Sequence, residues 1–287
     1  MAVRYGENYQ LIEGHYSQVR RGLEPIRVLV HGALGRMGQE VLNAVCRDPA
    51  LEPVGAVDAK ADCNSLQLPD DSGEIPLSSN LQSLLESSVP KVMVDFTQHA
   101  ATMPAVRIAT KHHTSLVIGT TGLSEADLDE IDSLCQEHGV GAVVAPNFSL
   151  GAVLMMHLSK TAAMFFDYAE IIEMHHEQKI DAPSGTAITT AKGMVEARGK
   201  SFTYPLTQKE SLAGGRGAEF EGIALHSVRL PGLMAHQEVI LGGPGQTLRI
   251  RHDQISREAF MPGVILAIKE VVKSKGLTFG LDKLLGL

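Results

Sequence analysis

The residues best equipped for chemistry lie between Glu173 and Thr186, in the order E-M-H-H-E-Q-K-I-D-A-P-S-G-T. His175 and His176 carry imidazoles that can give or take a proton, and Lys179 adds a cation four residues beyond His175. Pro183-Ser184-Gly185 follows, and Ser184 can cap a helix predicted through Ala187 to about Ala197. The free backbone amides at such a helix start, at Gly185 and Thr186, attract an anion. Titratable groups facing those amides could hold an anion and protonate it. Adjacent histidines in a strand point to opposite faces, so at most one of the pair meets a given ligand. The neighbouring His, Cys and Glu match no zinc spacing, and no metal is expected.

The elements that must position these groups begin with a second chemical pattern. Ile26 to His31 is a compact apolar strand, and Gly32-Ala33-Leu34-Gly35-Arg36-Met37-Gly38 follows it at once. A helix is expected from Gln39 to Cys46, then a strand from Val54 to Val57 that ends on Asp58. Strand, glycine turn, helix, strand and acid, the acid about twenty residues past the glycines, is the dinucleotide-binding order. The spacing here is G-x-x-G-x-x-G, so the context of strand, helix and acid carries the reading. Glycines let the backbone approach a pyrophosphate, and the helix start supplies amides and positive potential. Asp58 suits the ribose hydroxyls of NADH, while Arg36 and Lys60 can offset the additional phosphate of NADPH.

More strand–helix units follow. Val92 to Asp95 is a buried-type strand running into Phe96 and Thr97, with a helix to about Lys111. Leu116 to Ile118 leads to Gly119-Thr120-Thr121-Gly122, Ser124 caps a helix through Leu134, and Ala142 to Val144 leads to Ala145-Pro146-Asn147-Phe148. Ligands of such sheets bind at the carboxyl ends of the strands, where Thr97, Gly119, Thr120 and Asn147 fall. Leu150 to Phe166 reads as one helix whose Met and Leu stripe belongs to a core. Ala169 to Met174 is a short strand, and Leu206 to Glu221 a long glycine-rich loop. Strands are expected over Ile223 to Leu230, His236 to Leu241 and Thr247 to His252. The last places Leu248 and Ile250 on one face and Thr247, Arg249 and Arg251 on the other, as in a mixed or antiparallel sheet with a polar or shared face. A closing helix runs from Glu258 to about Lys273, with Pro262 early in it.

Composition narrows the function. With 287 residues, 44% hydrophobic and 20% charged, the chain can bury one large or two modest cores. The net charge of -8, without a basic run, argues against a nucleic-acid partner. The three cysteines are too scattered for a disulfide framework. No apolar run reaches spanning length, so no membrane is expected and the chain reads as cytoplasmic. Residues 1–25 lack a clear period and read as an N-terminal extension, whose Glu7, Glu13 and Glu24 set it apart from a transit peptide.

Taken together, G-A-L-G-R-M-G, V-D-F-T at Val94 to Thr97, G-T-T-G, A-P-N-F-S and E-M-H-H-E-Q-K-I-D-A-P-S-G-T-A resemble the dihydrodipicolinate (4-hydroxy-tetrahydrodipicolinate) reductases of lysine and diaminopimelate synthesis. The segment S-V-R-L-P-G-L-M-A-H-Q-E-V is similar to that family's second-domain strands. The resemblance implies an α/β fold: a Rossmann-type doubly wound parallel sheet plus a second α+β domain whose mixed sheet builds a homotetramer. The first domain would span 26–149, completed by 257–287, and the second 150–256. The implied reaction is reduction of a small cyclic dicarboxylate by NADH and/or NADPH. By motif, His175 takes the acid/base position and Lys179 that of its cationic partner, while His176, Ser184, Gly185 and Thr186 fall on substrate positions. Gly32, Ala33, Leu34, Gly35, Arg36, Met37, Asp58, Lys60, Phe96, Gly119, Thr120, Thr121, Ala145, Pro146, Asn147 and Phe148 fall on cofactor positions. The chain departs at Glu177 and Gln178, where many members are basic, and at Ala59, where some have Arg. The rivals are another Rossmann oxidoreductase acting on a small dicarboxylate and a non-enzymatic nicotinamide sensor. A thiol mechanism would need an activated Cys, yet Cys135 falls within a helix pattern. A sensor has no need of Lys179 four residues past His175.

Overall fold

The first strand, β1 (Ile26–His31), has a fully buried Val28-Leu29-Val30 centre, as a strand covered on both faces requires. It belongs to a computed structural model that describes residues 24–287, so the expected extension lies outside the described residues up to residue 23. The chain continues through α1 (Arg36–Arg47), β2 (Leu51–Val57), β3 (Ser65–Gln67), β4 (Glu74–Ser78) and α2 (Leu81–Ser88). Then come β5 (Val92–Asp95), α3 (His99–Lys111), β6 (Ser115–Ile118), α4 (Glu125–His138) and β7 (Gly141–Val144). Together with β13 (Gly276–Phe279) these strands form one eight-stranded sheet, in the order β13-β7-β6-β5-β1-β2-β4-β3. All its pairings are parallel except that of β3 with β4 at one edge. The strand order reverses direction at β1, which opens a crevice at the carboxyl ends of β1 and β5.

A second sheet holds β8 (Tyr168–His175), β9 (Ala218–Phe220), β10 (Ile223–Arg229), β11 (Ala235–Gly243) and β12 (Gln246–Gln254), in the order β12-β11-β8-β10-β9. It is mixed, because β10 runs parallel to β8 while the other pairs are antiparallel. Residues from α5 (Leu150–Ala163) and α6 (Gly185–Arg198), including Ala163, Ala187, Ala191 and Met194, share its core with Ile171, Val239 and Leu241. A 3₁₀ turn (Arg257–Phe260) and α7 (Met261–Val271) then bring the chain back, and Val264, Ala267, Ile268 and Val271 join the core of the first sheet. β13 and α8 (Leu281–Leu285) close it.

Several boundaries differ from expectation for identifiable reasons. α1 starts at Arg36 rather than Gln39, because Gly35 is its N-cap and Gly38 lies inside it. A Cβ on Gly38 would stand 2.2 Å from the Gly32 carbonyl oxygen, so that glycine serves close helix–turn packing. β2 starts at Leu51 rather than Val54; Pro53 interrupts its pattern, and the register with β1 slips between Val28 and Leu29 beside it. α5 stops at Ala163 rather than Phe166. Of its stripe only part is core: Met155 is buried, but Leu154, Leu158 and Met164 are exposed, because the stripe is wider than the face the sheet covers. The long glycine-rich loop includes β9, and the closing helix opens as a 3₁₀ turn. Pro262 enters α7 in its first turn, where its missing N–H leaves no bond unmade.

Candidate active site

Alternation along β8, β10, β11 and β12 sorts one face of the second sheet into rows. One row is Leu225, Ile171, Val239 and Ile250. The next is Ser227, Glu173, Gln237 and His252, and the one after it is Arg229, His175, Ala235 and Gln254. The face thus changes from apolar to polar within one pleat, beside the start of α6.

Glu173 is the centre of the polar rows and is only 1% exposed. Arg229 grips its two oxygens at 2.9 and 2.8 Å, the Ser184 amide donates to it at 3.2 Å, and His175 Nδ1 lies 2.5 Å away. Burial pushes the Glu173 carboxyl up, but hydrogen bonds from His175, Arg229 and Ser227 outweigh it and hold the pKa at about 2. An ionised carboxylate only accepts, so Nδ1 of His175 carries the hydrogen and Nε2 is the atom left to give or take a proton. Arg229 also donates to the Asp181 carbonyl at 2.6 Å, and Lys179 Nζ donates to the Asp181 carboxylate at 2.6 Å. The segment before α6 is thereby tied to the strand ends. Ser184 caps α6 as expected, its hydroxyl accepting from the Ala187 amide at 3.2 Å. No acid occupies the first turn of α6, which leaves the Gly185 and Thr186 amides open to an anion.

A cavity of about 40 Å³ lies over the polar rows, lined among others by His175, Ser184, Thr186, Gln237, His252 and Asn147. Asn147 follows β7, so the cavity draws on both sheets. His176, Lys179 and Gly185 stand outside this lining. Burial holds the His252 imidazole below its ordinary 6.5, against the opposing pull of Asp253.

The glycine turn is built by close approach. Gly32 has φ 82° and donates to the Val57 carbonyl at 2.7 Å; a Cβ there would stand 2.8 Å from Thr97 Cγ2. Through Ala33, Leu34 and Gly35 the turn delivers the amides of Arg36 and Met37 at the start of α1, which has neither an acid in its first turn nor a side-chain cap. That arrangement fits an anionic pyrophosphate. Asp58 accepts from the Leu34 amide at 3.0 Å and from the Lys60 amide at 2.9 Å, so it braces the turn. Each of its oxygens keeps a lone pair for a ribose hydroxyl. Arg36 and Lys60 are exposed on either side. Gly119 admits the Phe96 ring, since a Cβ there would overlap it at 2.0 Å, and Phe96 packs on Phe148 with centroids 5.7 Å apart. Ala145 is buried, whereas Pro146 and Thr121 are exposed along the same crevice. Thr120 donates to the fully buried Asp95 at 2.8 Å. The crevice therefore has the cradle and the donors a nicotinamide dinucleotide needs.

Five residues central to this geometry went unassigned in the sequence: Asp95, Glu173, Arg229, Gln237 and His252. For Glu173 a signal existed, because Ala169, Ile171, Glu173 and His175 share one face of a strand and that face turns charged halfway along. Gln237 and His252 gave none, since strand pairing alone carries them to Glu173.

The fold and its crevice define a two-domain oxidoreductase that uses a nicotinamide dinucleotide. The family model described as dihydrodipicolinate reductase, N-terminus, matches residues 26–148, and the one described as dihydrodipicolinate reductase, C-terminus, matches residues 151–285. A 4-hydroxy-tetrahydrodipicolinate reductase of Dehalococcoides mccartyi is 56% identical over 265 residues, 92% of this chain and 100% of that one. One from Bacillus subtilis is 46% identical over 264 residues, covering 91% and 98%. A solved dipicolinate-bound dihydrodipicolinate reductase from Paenisporosarcina sp. TG-14 superposes with a TM-score of 0.81 at 41% identity, covering 90% and 99%. The chain belongs to the dihydrodipicolinate reductase family. It is an NAD(P)H-dependent oxidoreductase.

Glu173 is held at about 2 rather than 4.5, so its pairings contribute stability above about pH 4.5 that is lost as the pH falls toward 2. Replacing Glu173 with Gln removes that acid-side loss and releases the His175 ring. The expected outcome is a shallower fall in melting temperature across this window, with kcat lower by about tenfold or more. Melting curves from pH 2 to 5 and steady-state kinetics check both, and an unchanged acid slope would take Glu173 out of the transition.

Proposed function

We propose that this chain performs its family's reaction, reducing 4-hydroxy-tetrahydrodipicolinate or dihydrodipicolinate to tetrahydrodipicolinate on the route to diaminopimelate and lysine. The observation that carries the reading is that His175, held by an ionised Glu173, lines one cavity with Asn147 from the dinucleotide side. In this reading residues 26–149, completed by 257–287, hold the dinucleotide, and residues 150–256 hold the substrate. When bound, NADH or NADPH would supply the hydride, which the ring takes up at C4; from the 4-hydroxy substrate the C4 hydroxyl is lost as water, giving dihydrodipicolinate, before the hydride adds. Negative charge then develops toward the ring nitrogen. His175 Nε2 holds the proton for that centre, and Lys179, released from Asp181, offsets its charge. The amides of Gly185 and Thr186 take one substrate carboxylate, with Ser184 and His176 beside them. Gly32 to Met37 hold the pyrophosphate, Asp58 the ribose, and the ends of β5, β6 and β7 the nicotinamide half. A dissolved cofactor and a small dicarboxylate suit a cytoplasmic enzyme. Among the described residues no helix is long and apolar enough to cross a membrane.

Replacing His175 with Gln is expected to lower kcat by about 10²- to 10⁴-fold while substrate KM moves much less. Cofactor oxidation followed by absorbance with freshly made substrate checks it, and a near-normal kcat would remove His175 from the mechanism.

The cofactor reading rests on opposed charges. Asp58 favours the NADH ribose and repels the additional phosphate of NADPH, whereas exposed Arg36 and Lys60 attract that phosphate. Exposed pairs are worth about 1 kcal/mol at most, so both cofactors are expected to serve within roughly a hundredfold of each other. Asp58→Ala should then weaken NADH more than NADPH, and Lys60→Ala the reverse. Because Asp58 also braces Leu34, equal losses for both cofactors from Asp58→Ala would mean that bracing, not ribose recognition, is its work.

The face of the second sheet turned away from α5 and α6 carries Ile172, Met174 and Ile240 among half-buried groups, and Tyr168 at 43% and Val228 at 36% exposure. Glu238 on that face pairs with Arg249 and Arg251 of β12. A sheet face that mixes apolar groups with paired charges supports a homotetramer built sheet against sheet. Light scattering at micromolar concentration should return the tetramer mass, and a monomer would contradict it.

A further inference from the structure

We propose that Gln237 binds the substrate, its side-chain carbonyl accepting a hydrogen bond from an O–H or N–H of the substrate ring. The inference rests on the reductase reading above and extends it to a residue that reading leaves without a role.

Gln237 is 4% exposed and stands between Glu173 and His252 in the first polar row. His175 is its diagonal neighbour on β8, in the adjacent row. Which way the amide points follows from its partner. Gln237 Nε2 lies 2.9 Å from Thr190 Oγ1, and the Thr190 hydroxyl hydrogen is given to the Thr186 carbonyl at 2.7 Å. Thr190 can therefore only accept from Gln237, which fixes the NH₂ toward α6 and turns Oε1 away from it. Oε1 is buried and has no hydrogen-bond partner among the described residues, although Gln237 lines the His175 cavity. A buried carbonyl in that condition is unfavourable unless a ligand or solvent donor meets it.

An acceptor there discriminates among dicarboxylates. It gains nothing from ionised carboxylates, which cannot donate, and nothing from a flat aromatic ring with a bare nitrogen. It gains from the C4 hydroxyl of 4-hydroxy-tetrahydrodipicolinate or from a ring N–H. Sites that hydrogen-bond a ligand group reject analogues lacking it more strongly than apolar sites reject changes of shape.

The test compares Gln237→Met with wild type on the full chain. Substrate KM is expected to rise about 3- to 10-fold, with kcat moved less, as fits one neutral hydrogen bond. Calorimetry with NADH present should find dipicolinate, which has no donor, bound as tightly as by wild type. Piperidine-2,6-dicarboxylate, which has an N–H and no hydroxyl, identifies the donor: weaker binding assigns the N–H, unchanged binding the hydroxyl. Thr190→Val removes the tether without touching Gln237, should move substrate KM the same way, and carries the test if Gln237→Met does not fold. An unchanged substrate KM, or an equal loss of dipicolinate, overturns the inference and leaves Oε1 to solvent. A wild type that consumes no NADH with the substrate overturns the reductase reading, and this inference with it.

Discussion

The second sheet is organised around one buried charge. A carboxylate removed from water is strongly unfavourable unless each oxygen is matched by donors, and breaking such a match costs more than the match contributes. Glu173 meets that condition only when three pieces of chain converge: Arg229 from β10, His175 from its own strand and the Ser184 amide at the start of α6. The same demand sets the chemistry. An ionised Glu173 decides which His175 nitrogen carries hydrogen, and Arg229, reaching on to the Asp181 carbonyl, fixes the segment that bears Lys179. Stability and the placement of the hydrogen on His175 therefore depend on one set of contacts.

The first sheet repeats the device. Asp95, fully buried at the end of β5, meets His31 from β1 at 2.8 Å and accepts from Thr120 after β6 at 2.8 Å and from the Thr97 amide at 2.9 Å. Thr102 on α3 donates as well, at 3.2 Å. Burial raises this carboxyl, yet the surrounding donors hold it below its ordinary value, so it stays charged and keeps its partners. Its partners lie on three neighbouring strand ends and one helix start, the elements that border the dinucleotide crevice. The glycines work from the other side, removing side chains where Phe96 and the turn must close in.

Much of this was legible because local chemistry and tertiary position agree. The glycine turn, Asp58, the Ser184 cap and the strand ends at Gly119 and Asn147 each have a local cause that places them in the fold. Other parts depended on pairing between distant segments. Gln237 and His252 are unremarkable in their own strands, and antiparallel register alone sets them in line with Glu173. Arg229 was visible only as part of a resembling segment, since an arginine at a strand end is more often solvated than buried against a carboxylate. β13 escaped because four residues, Gly276–Phe279, carry too little pattern to be read apart from the β7 edge they join. The stripe of α5 misled in the opposite sense: periodicity reports an apolar face without saying what covers it.

The two halves meet at the start of α5, whose Val153 joins the core of the first sheet. Asn147 Oδ1 accepts from the Ser149 amide at 2.9 Å, and Ser149 Oγ lies 3.4 Å from His252 Nε2. A Cβ on Gly151 would stand 2.4 Å from the His252 ring, so the absent side chain lets β12 lie against the start of α5. The row holding Glu173 and Gln237 is thereby joined to the end of β7. The cavity at this junction, about 40 Å³, falls well short of the roughly 300 Å³ or more that encloses a small organic ligand. Groups at its edge would have to shift for it to enclose a ring with two carboxylates. They differ in how readily they can. Glu173 and Arg229 are locked by mutual burial, whereas Lys179 and Asp181 form a partly exposed pair, worth about 1 kcal/mol or less. The Lys179–Asp181 pair can therefore part for little, while the floor that holds His175 stays fixed.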